Sequence, residues 1–144
     1  MAGLPKYKII TFPISDTKNG KLAMFQTSLK NIEGAVPFQI KKVLSITGTK
    51  DSDKRGGHTH HKTQQILICT NGGCTVDLDD SKNKTSVVLD KPNKGLLLYP
   101  YVWHVMRDFK ENTSMLVIAD TEYDEKEYIR SYEDFIQQIK QREH

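Results

Sequence analysis

Short apolar runs separated by turn-forming residues recur along most of the chain. Runs that are apolar or that alternate with polar residues, bounded by Gly, Pro, Asn, Asp and Ser, are typical of β-strands. About nine such runs predict strands over residues 7–12, 21–26, 38–46, 65–69, 74–79, 86–89, 95–99, 102–106 and 115–119. No helical segment interrupts this series, so we expect a nearly all-β antiparallel sandwich or barrel.

The C-terminal tail has a different periodicity. Its apolar residues recur at the spacing of an α-helix: Tyr132, Phe135, Ile136 and Ile139. Ser131 precedes this run and Asp134 stands three positions later, as in a helix N-terminal cap. The pattern predicts a helix at about 131–141 that packs on the strands at about 7–119. Because no repeat, linker or low-complexity tract divides the chain, we treat residues 1–144 as one domain.

Length and composition agree with an ordinary globular domain. The chain has 144 residues, of which 37% are hydrophobic and 27% charged, which argues against disorder. Its net charge of +3 is too weak and too scattered to indicate a nucleic-acid groove. A small molecule that carries phosphate is compatible with this charge.

The sequence also bears on compartment. No apolar stretch approaches the roughly 20 residues that span a bilayer, and residues 1–13 lack the apolar core and cleavage site of a leader. We therefore expect a cytoplasmic protein with no membrane partner. Cys69 and Cys74 flank the turn at 70–73, where hairpin pairing could bring them together. In a cytosolic chain we expect buried, reduced thiols rather than a disulfide or a nucleophile.

Three of the five histidines are candidates for chemistry. His58 and His60 lie two positions apart, which on a strand places both side chains on one face. His104 follows in a later strand and could reach the same face. Imidazoles that converge in an apolar barrel suit proton transfer near neutral pH. We interpret His61 and His144 as surface or hydrogen-bonded residues without a catalytic role.

The residues before the histidine pair suggest an anion site. Arg55 carries a fork of donors suited to a phosphate group. Gly56 and Gly57 let the backbone turn or approach a ligand closely. The run 55–60 therefore combines an anion anchor with a candidate acid-base pair.

A metal site is the competing interpretation. His58, His60, His104 and a side chain at 64 or 65 have the spacing of a metal site in a β-barrel. Gln64 and Gln65 are neutral amides, which bind a divalent cation less tightly than a carboxylate does. We therefore expect no metal.

Several runs carry a family resemblance. They are residues 55–60 (RGGHTH), 65–72 (QILICTNG), 91–96 (KPNKGL) and 102–104 (VWH), continuing through 123–125 (YDE) and 128–132 (YIRSY). Together they resemble the dTDP-4-keto-6-deoxyglucose 3,4-ketoisomerases over nearly the whole chain.

The resemblance implies a fold, an activity and partners. It implies a cupin, that is, a jelly-roll barrel, that needs no metal or other cofactor and forms a homodimer by exchanging N-terminal strands. The implied substrate is a dTDP-linked 4-keto sugar. The implied product is a 3-keto sugar, which a PLP-dependent aminotransferase would convert to a 3-amino-3,6-dideoxyhexose of surface glycans.

The resemblance also implies residue roles. His58 would abstract the proton from C3, and His60 would orient the substrate or relay protons. Arg55 would hold the diphosphate. Gln65 and His104 are further substrate-binding candidates.

Two positions bear on the product. Galacto-forming relatives resemble this chain in having histidine at position 104, whereas Asn19 matches neither the arginine of galacto-forming nor the tyrosine of gluco-forming relatives. We therefore expect a galacto preference or mixed products.

Leu44 stands where the family usually has an active-site tyrosine. The loss of this tyrosine could slow turnover, be compensated by Tyr99 or Tyr101, or indicate another substrate.

Two other functions stay open from the sequence. One is a metal-dependent cupin enzyme with His58, His60, Gln65 and His104 as ligands, which metal analysis would identify. The other is a non-catalytic nucleotide-sugar sensor. A sensor would catalyse no isomerisation, so a His58→Asn substitution would remove no activity from it.

Overall fold

The computed structural model describes residues 5–143 and consists of two sheets that face each other. Within these residues the strands are β1 (Tyr7–Thr11), β2 (Ile14–Thr17), β3 (Gly20–Ala23), β4 (Lys42–Ile46), β5 (Arg55–His60), β6 (Gln65–Asn71), β7 (Cys74–Asp79), β8 (Lys84–Leu89), β9 (Lys94–Leu98), β10 (Trp103–Arg107), β11 (Ser114–Ala119) and β12 (Tyr128–Ile129). A 3-10 turn (Glu125–Glu127) precedes β12, and helix α1 (Tyr132–Arg142) ends the described chain.

The strand order defines an antiparallel sandwich. One five-stranded sheet has the order β1-β9-β6-β11-β4, and the other has the order β12-β5-β10-β7-β8. The hairpin of β2 and β3 forms a small sheet of its own. The predicted all-β fold is confirmed.

The interior follows from the alternation of side chains along each strand. In β7, Cys74, Val76 and Leu78 are buried while the residues between them are half-buried. These residues join a cluster between the two sheets that includes Leu67 and Leu96. Burial of each large apolar side chain stabilises the fold by about 1.5–3 kcal/mol.

A second cluster covers the outer face of the first sheet. Ile66, Ile68 and Ile118 point outward from that sheet and pack against Phe12 and Val36. Phe12 lies close above β9, because a side-chain carbon added at Gly95 would lie 2.5 Å from its ring. The 27–38 segment thus packs over the sheet without forming a strand of it.

The strand prediction needs three corrections. The run 38–46 becomes a strand only at Lys42, because Phe38 packs in the outer cluster. Strand β2 was missed because all four of its residues are exposed and give no apolar alternation. Strand β12 was missed because it has only two residues.

Helix α1 forms as predicted. The Ser131 hydroxyl accepts a hydrogen bond of 3.3 Å from the backbone N–H of Asp134. Phe135 is buried, and its ring lies 5.7 Å from that of Trp103 in β10. Within residues 5–143 no helix is long and apolar enough to cross a membrane.

The two cysteines lie where the hairpin was expected to bring them. Cys69 and Cys74 are buried free thiols with their sulfur atoms 3.7 Å apart. The prediction of buried core thiols is confirmed.

Candidate active site

The three candidate histidines meet on the inner face of the second sheet. His58 is the cross-strand partner of His104, and their ring centroids lie 4.7 Å apart. The ring of His60 lies 5.1 Å from that of His58 and 6.2 Å from that of His104. The expected convergence of the imidazoles therefore occurs.

The glycines before His58 shape the edge of this cluster. Gly56 and Gly57 have φ angles of +87° and +71°, which glycine adopts without steric cost. A side-chain carbon at Gly56 would lie 2.9 Å from the carbonyl oxygen of His104. The pairing of β5 with β10 shifts register here. Arg55 is exposed at the start of β5, beyond the two glycines.

The side chains of His104 and Gln65 form a hydrogen bond with each other. The Gln65 amide lies 3.2 Å from Nε2 of His104, and Nδ1 of His104 lies 3.4 Å from the carbonyl of Val102. In this arrangement the amide donates to Nε2 and Nδ1 donates to the carbonyl. Both side chains are buried. Burial lowers the pKa of His104 to about 3, with His58 adding to the effect.

The other two histidines are also held neutral. Burial and, to a lesser extent, the positive charge of Arg130 together lower the pKa of His58 to about 4. The pKa of His60 is lowered to about 2, mainly by burial and then by His104, His58 and Lys42. Nδ1 of His58 is buried and forms no hydrogen bond with any residue that the structure describes. The His58 ring as a whole is only half-buried, so its neutral imidazole can accept a proton from a ligand.

A group beside the histidines was missed from the sequence. Tyr128 pairs with His60 across β12 and β5, and its ring lies 4.6 Å from that of His60 and 5.1 Å from that of His58. The Arg130 guanidinium lies 4.3 Å from the same ring. Two hydrogen bonds to Glu125, of 2.6 and 3.1 Å, hold Arg130 in place. Tyr128 and Arg130 lie in the run 128–132, where a tyrosine and an arginine in a chain with a histidine site are a usable signal.

A buried carboxylate fixes the turn that joins β5 to β6. One oxygen of Glu127 accepts hydrogen bonds from the N–H groups of Lys62 and Thr63, at 2.7 and 2.6 Å. It also accepts one from the Thr63 hydroxyl at 2.5 Å. The Asp120 carboxylate accepts a bond from the N–H of Gln64. This turn connects His60 to Gln65, so these carboxylates set the spacing of two site residues.

Strand β4 contributes the opposite wall. Ile46 packs in the inner cluster, so Leu44 and Lys42, two and four positions earlier, face the same side. The Lys42 ammonium lies 5.7 Å from the centre of the Tyr128 ring. Leu44 is 40% exposed in this position.

Asn19 is not brought to the histidines within one chain. It lies in the turn between β2 and β3, where its N–H bonds to the hydroxyl of Thr17. Both strands of this hairpin pair only with each other, and its turn is exposed.

The histidines do not form a recognisable metal centre. Within residues 5–143 no group of three or more His, Cys, Asp or Glu side chains is arranged to hold a metal ion. Gln65 already donates its amide to His104. His61 is half-buried and bonded to Tyr101, and His144 lies outside the described residues.

The fold is similar to that of solved structures of low sequence identity. The RmlC epimerase of Mycobacterium tuberculosis superposes with a TM-score of 0.70 at 14% identity, over 89% of this chain and 70% of that one. At this identity the likeness concerns the fold alone. With its inward-facing histidines, the protein is a cupin-type barrel.

Sequence and structure comparisons then give the family. Residues 5–140 match the family described as FdtA: WxcM-like, C-terminal. The chain is 42% identical over 128 residues to a TDP-4-oxo-6-deoxy-alpha-D-glucose-3,4-oxoisomerase from Aneurinibacillus thermoaerophilus, covering 89% of this chain and 88% of the relative. The chain therefore belongs to the family of sugar-nucleotide 3,4-ketoisomerases, as the resemblance predicted.

Solved structures of higher identity agree. A 3,4-ketoisomerase from Helicobacter canadensis has a TM-score of 0.85 at 36% identity, over 94% of this chain and 98% of that one. A mutant of the 3,4-ketoisomerase QdtA from Thermoanaerobacterium thermosaccharolyticum, in complex with TDP-4-keto-6-deoxyglucose, has a TM-score of 0.86 at 35% identity, over 94% and 95%.

Proposed function

We propose that this protein isomerises TDP-4-keto-6-deoxyglucose to a TDP-3-keto-6-deoxyhexose by histidine acid-base catalysis. The observation that carries the proposal is the neutral, half-buried His58 ring, which lies 5.1 Å from the ring of the buried His60. The relatives named for this reaction support the choice of substrate.

The chemistry needs only proton movements. The C4 carbonyl acidifies the proton on C3, and His58 removes that proton as a general base. The electron pair left on C3 forms an enediolate with the C4 oxygen. Transfer of the C3 hydroxyl proton to the C4 oxygen, and delivery of a proton to C4, then leave the carbonyl at C3 and a hydroxyl at C4. His60, whose ring lies 5.1 Å from His58, relays protons between these positions.

Positive side chains are placed to stabilise the negative charge. Lys42 and Arg130 both lie beside the Tyr128 ring, which contacts the two histidines. Cations near a developing enediolate lower the barrier because the partly buried site screens charge poorly. Arg55, exposed at the start of β5, is our candidate for the diphosphate.

Proton NMR in D2O tests the reaction directly. We expect the purified protein to incorporate deuterium into the substrate and to accumulate a 3-keto sugar that a 3-aminotransferase traps. Absence of both deuterium and trapped product would refute the proposed function.

A His58→Asn substitution tests the catalytic role. We expect it to abolish deuterium incorporation while TDP binding is retained, because the amide cannot take the proton. Retention of isomerisation would overturn the assignment of His58, and binding without turnover in the unaltered protein would identify a sensor.

For the product we propose a galacto preference or a mixture. His104 supports the galacto product and Asn19 favours neither. Relatives of both kinds are equally similar: a TDP-fucose-3,4-ketoisomerase from Campylobacter jejuni is 34% identical and a TDP-quinovose 3,4-ketoisomerase from the same species is 33% identical. The C4 coupling constants of the equilibrated product measure the outcome, and a pure gluco product would contradict the preference.

We also propose a homodimer with exchanged β2–β3 hairpins. The hairpin pairs only with itself, and Leu22 on it is 66% exposed. A PLP-dependent aminotransferase would consume the 3-keto product to form a 3-amino sugar for a surface glycan. We place the reaction in the cytoplasm, where the thiols of Cys69 and Cys74 would stay reduced.

A further inference from the structure

Tyr101 has a strained backbone next to the histidine strand. It lies in the turn between β9 and β10, with a φ of +64°. This left-handed conformation is unfavourable for a bulky residue and persists only where the surroundings enforce it. Strained residues of this kind concentrate at functional sites, so the contacts of Tyr101 are informative.

The backbone and the side chain of Tyr101 both form hydrogen bonds at the C-terminal end of β5. Its backbone N–H donates a 3.1 Å hydrogen bond to the carbonyl oxygen of His60. Its hydroxyl shares a 3.0 Å hydrogen bond with Nδ1 of His61. The guanidinium of Arg142, near the end of α1, lies 3.8 Å from the centre of the Tyr101 ring. The ring is thus held between the helix and the strand that carries the catalytic pair.

We propose that Tyr101 is a positioning residue that fixes His60, and with it the His58–His60 pair, for proton transfer. This inference rests on the proposed function. The left-handed turn is the conformation in which one residue bonds both the His60 carbonyl and the His61 ring. Tyr128 contacts the His60 ring from the other side. A displacement of about 1 Å can cost a hundredfold in rate, so holding the backbone of His60 matters to turnover.

Two substitutions test the positioning role. Tyr101→Gly keeps the backbone N–H and removes the strain, but loses the ring and hydroxyl contacts. We expect kcat to fall about tenfold with KM changed less than about twofold, because geometry and not binding is lost. Tyr101→Phe loses only the bond to His61 and keeps the ring, so we expect a smaller fall in kcat.

Matched controls separate positioning from general effects. Tyr132→Phe removes the hydroxyl of a tyrosine on α1 that donates a hydrogen bond to Asp79. Asn112→Gly relieves a left-handed φ of +60° in the turn between β10 and β11. We expect both to leave kcat unchanged. The proposal is wrong if both Tyr101 variants have the same kcat as the unsubstituted protein. It is also wrong if kcat falls only in proportion to the unfolded fraction measured by circular dichroism.

A second readout is independent of turnover. We expect the imidazole 15N signals of His60 and His61 to shift in Tyr101→Phe and to shift further in Tyr101→Gly. His60 signals that stay in place in both variants would refute positioning by Tyr101. If the unaltered protein shows no isomerisation, the proposed function fails, while these NMR shifts still decide whether Tyr101 positions His60.

Discussion

Three imidazoles share the inside of the barrel, and burial keeps each of them neutral. The histidines differ in how they are bonded. Gln65 and the Val102 carbonyl occupy both ring nitrogens of His104, whereas Nδ1 of His58 has no partner within the described chain. The bonding of both its nitrogens supports His104 as a fixed neighbour, and His58, the only one of the three that is not fully buried, is the better candidate for the base.

The pH dependence of turnover tests this arrangement. We expect kcat/KM to stay constant between about pH 8 and pH 6, because His58, with a pKa of about 4, is already unprotonated throughout. A histidine with the usual pKa near 6.5 would lose about three quarters of its basic form by pH 6. A fall in kcat/KM with a midpoint near 6.5 would contradict the assignment.

The Arg130 charge offers a variant of the same measurement. Its guanidinium lowers the pKa of His58, so Arg130→Met should raise that pKa and move the acid limb of kcat/KM to higher pH. Lys126→Met, which removes an exposed cation from the same segment, is the control and should leave the profile in place.

Among the elements, the turn between β5 and β6 matters most to the geometry of the site, because it fixes the position of His60 relative to Gln65. Its N–H groups are bonded to carboxylates that come from distant parts of the chain, Glu127 and Asp120. The two-residue strand β12, which follows Glu127, places Tyr128 against His60. The 3-10 turn and β12 therefore serve as a brace for the site.

We expect Glu127→Ala to destabilise the protein by about 3 kcal/mol, because it leaves the N–H groups of Lys62 and Thr63 without their acceptor. Urea unfolding measures this change. The control Glu122→Ala removes an exposed carboxylate of the same segment and should change the unfolding free energy by less than about 0.5 kcal/mol. Equal effects of the two substitutions would show that Glu127 does not brace the turn.

For the whole molecule, the β2–β3 hairpin is the part whose exposed apolar residues find no packing partner among the described residues of the single chain. All residues of β2 are exposed, and Leu22 on β3 is 66% exposed. Strand β4 at the edge of the first sheet also exposes Val43. Exposed apolar strands and a free sheet edge are typical of surfaces that a second chain covers.

We expect the protein to sediment as a dimer of two 16.5 kDa chains. Leu22→Glu should weaken the dimer, because it places a charge in the apolar contact between exchanged hairpins. Val88→Glu, on the edge strand β8 where Val88 is 49% exposed, is the matched control and should leave the dimer intact. Analytical ultracentrifugation measures both, and a monomer at all concentrations would exclude hairpin exchange.

The local pattern of the sequence determined the β-fold, the capped helix and the shared face of His58 and His60. Each of these depends on the spacing of residues within one element, which a sequence displays directly. The residues of β2 lack such a pattern because they are exposed, and β12 is too short to show one, so both escaped prediction.

Only the tertiary structure decided which side chains complete the site. Gln65 bonds His104 across 39 positions, and Glu127 bonds Thr63 across 64, so neither contact leaves a local periodicity. The strain at Tyr101 is likewise imposed by distant neighbours. The sequence by itself determined that two histidines share a strand face. Their neutral state and the unpaired nitrogen of His58 come from burial between two sheets, a property that exists only once the distant strands have packed together.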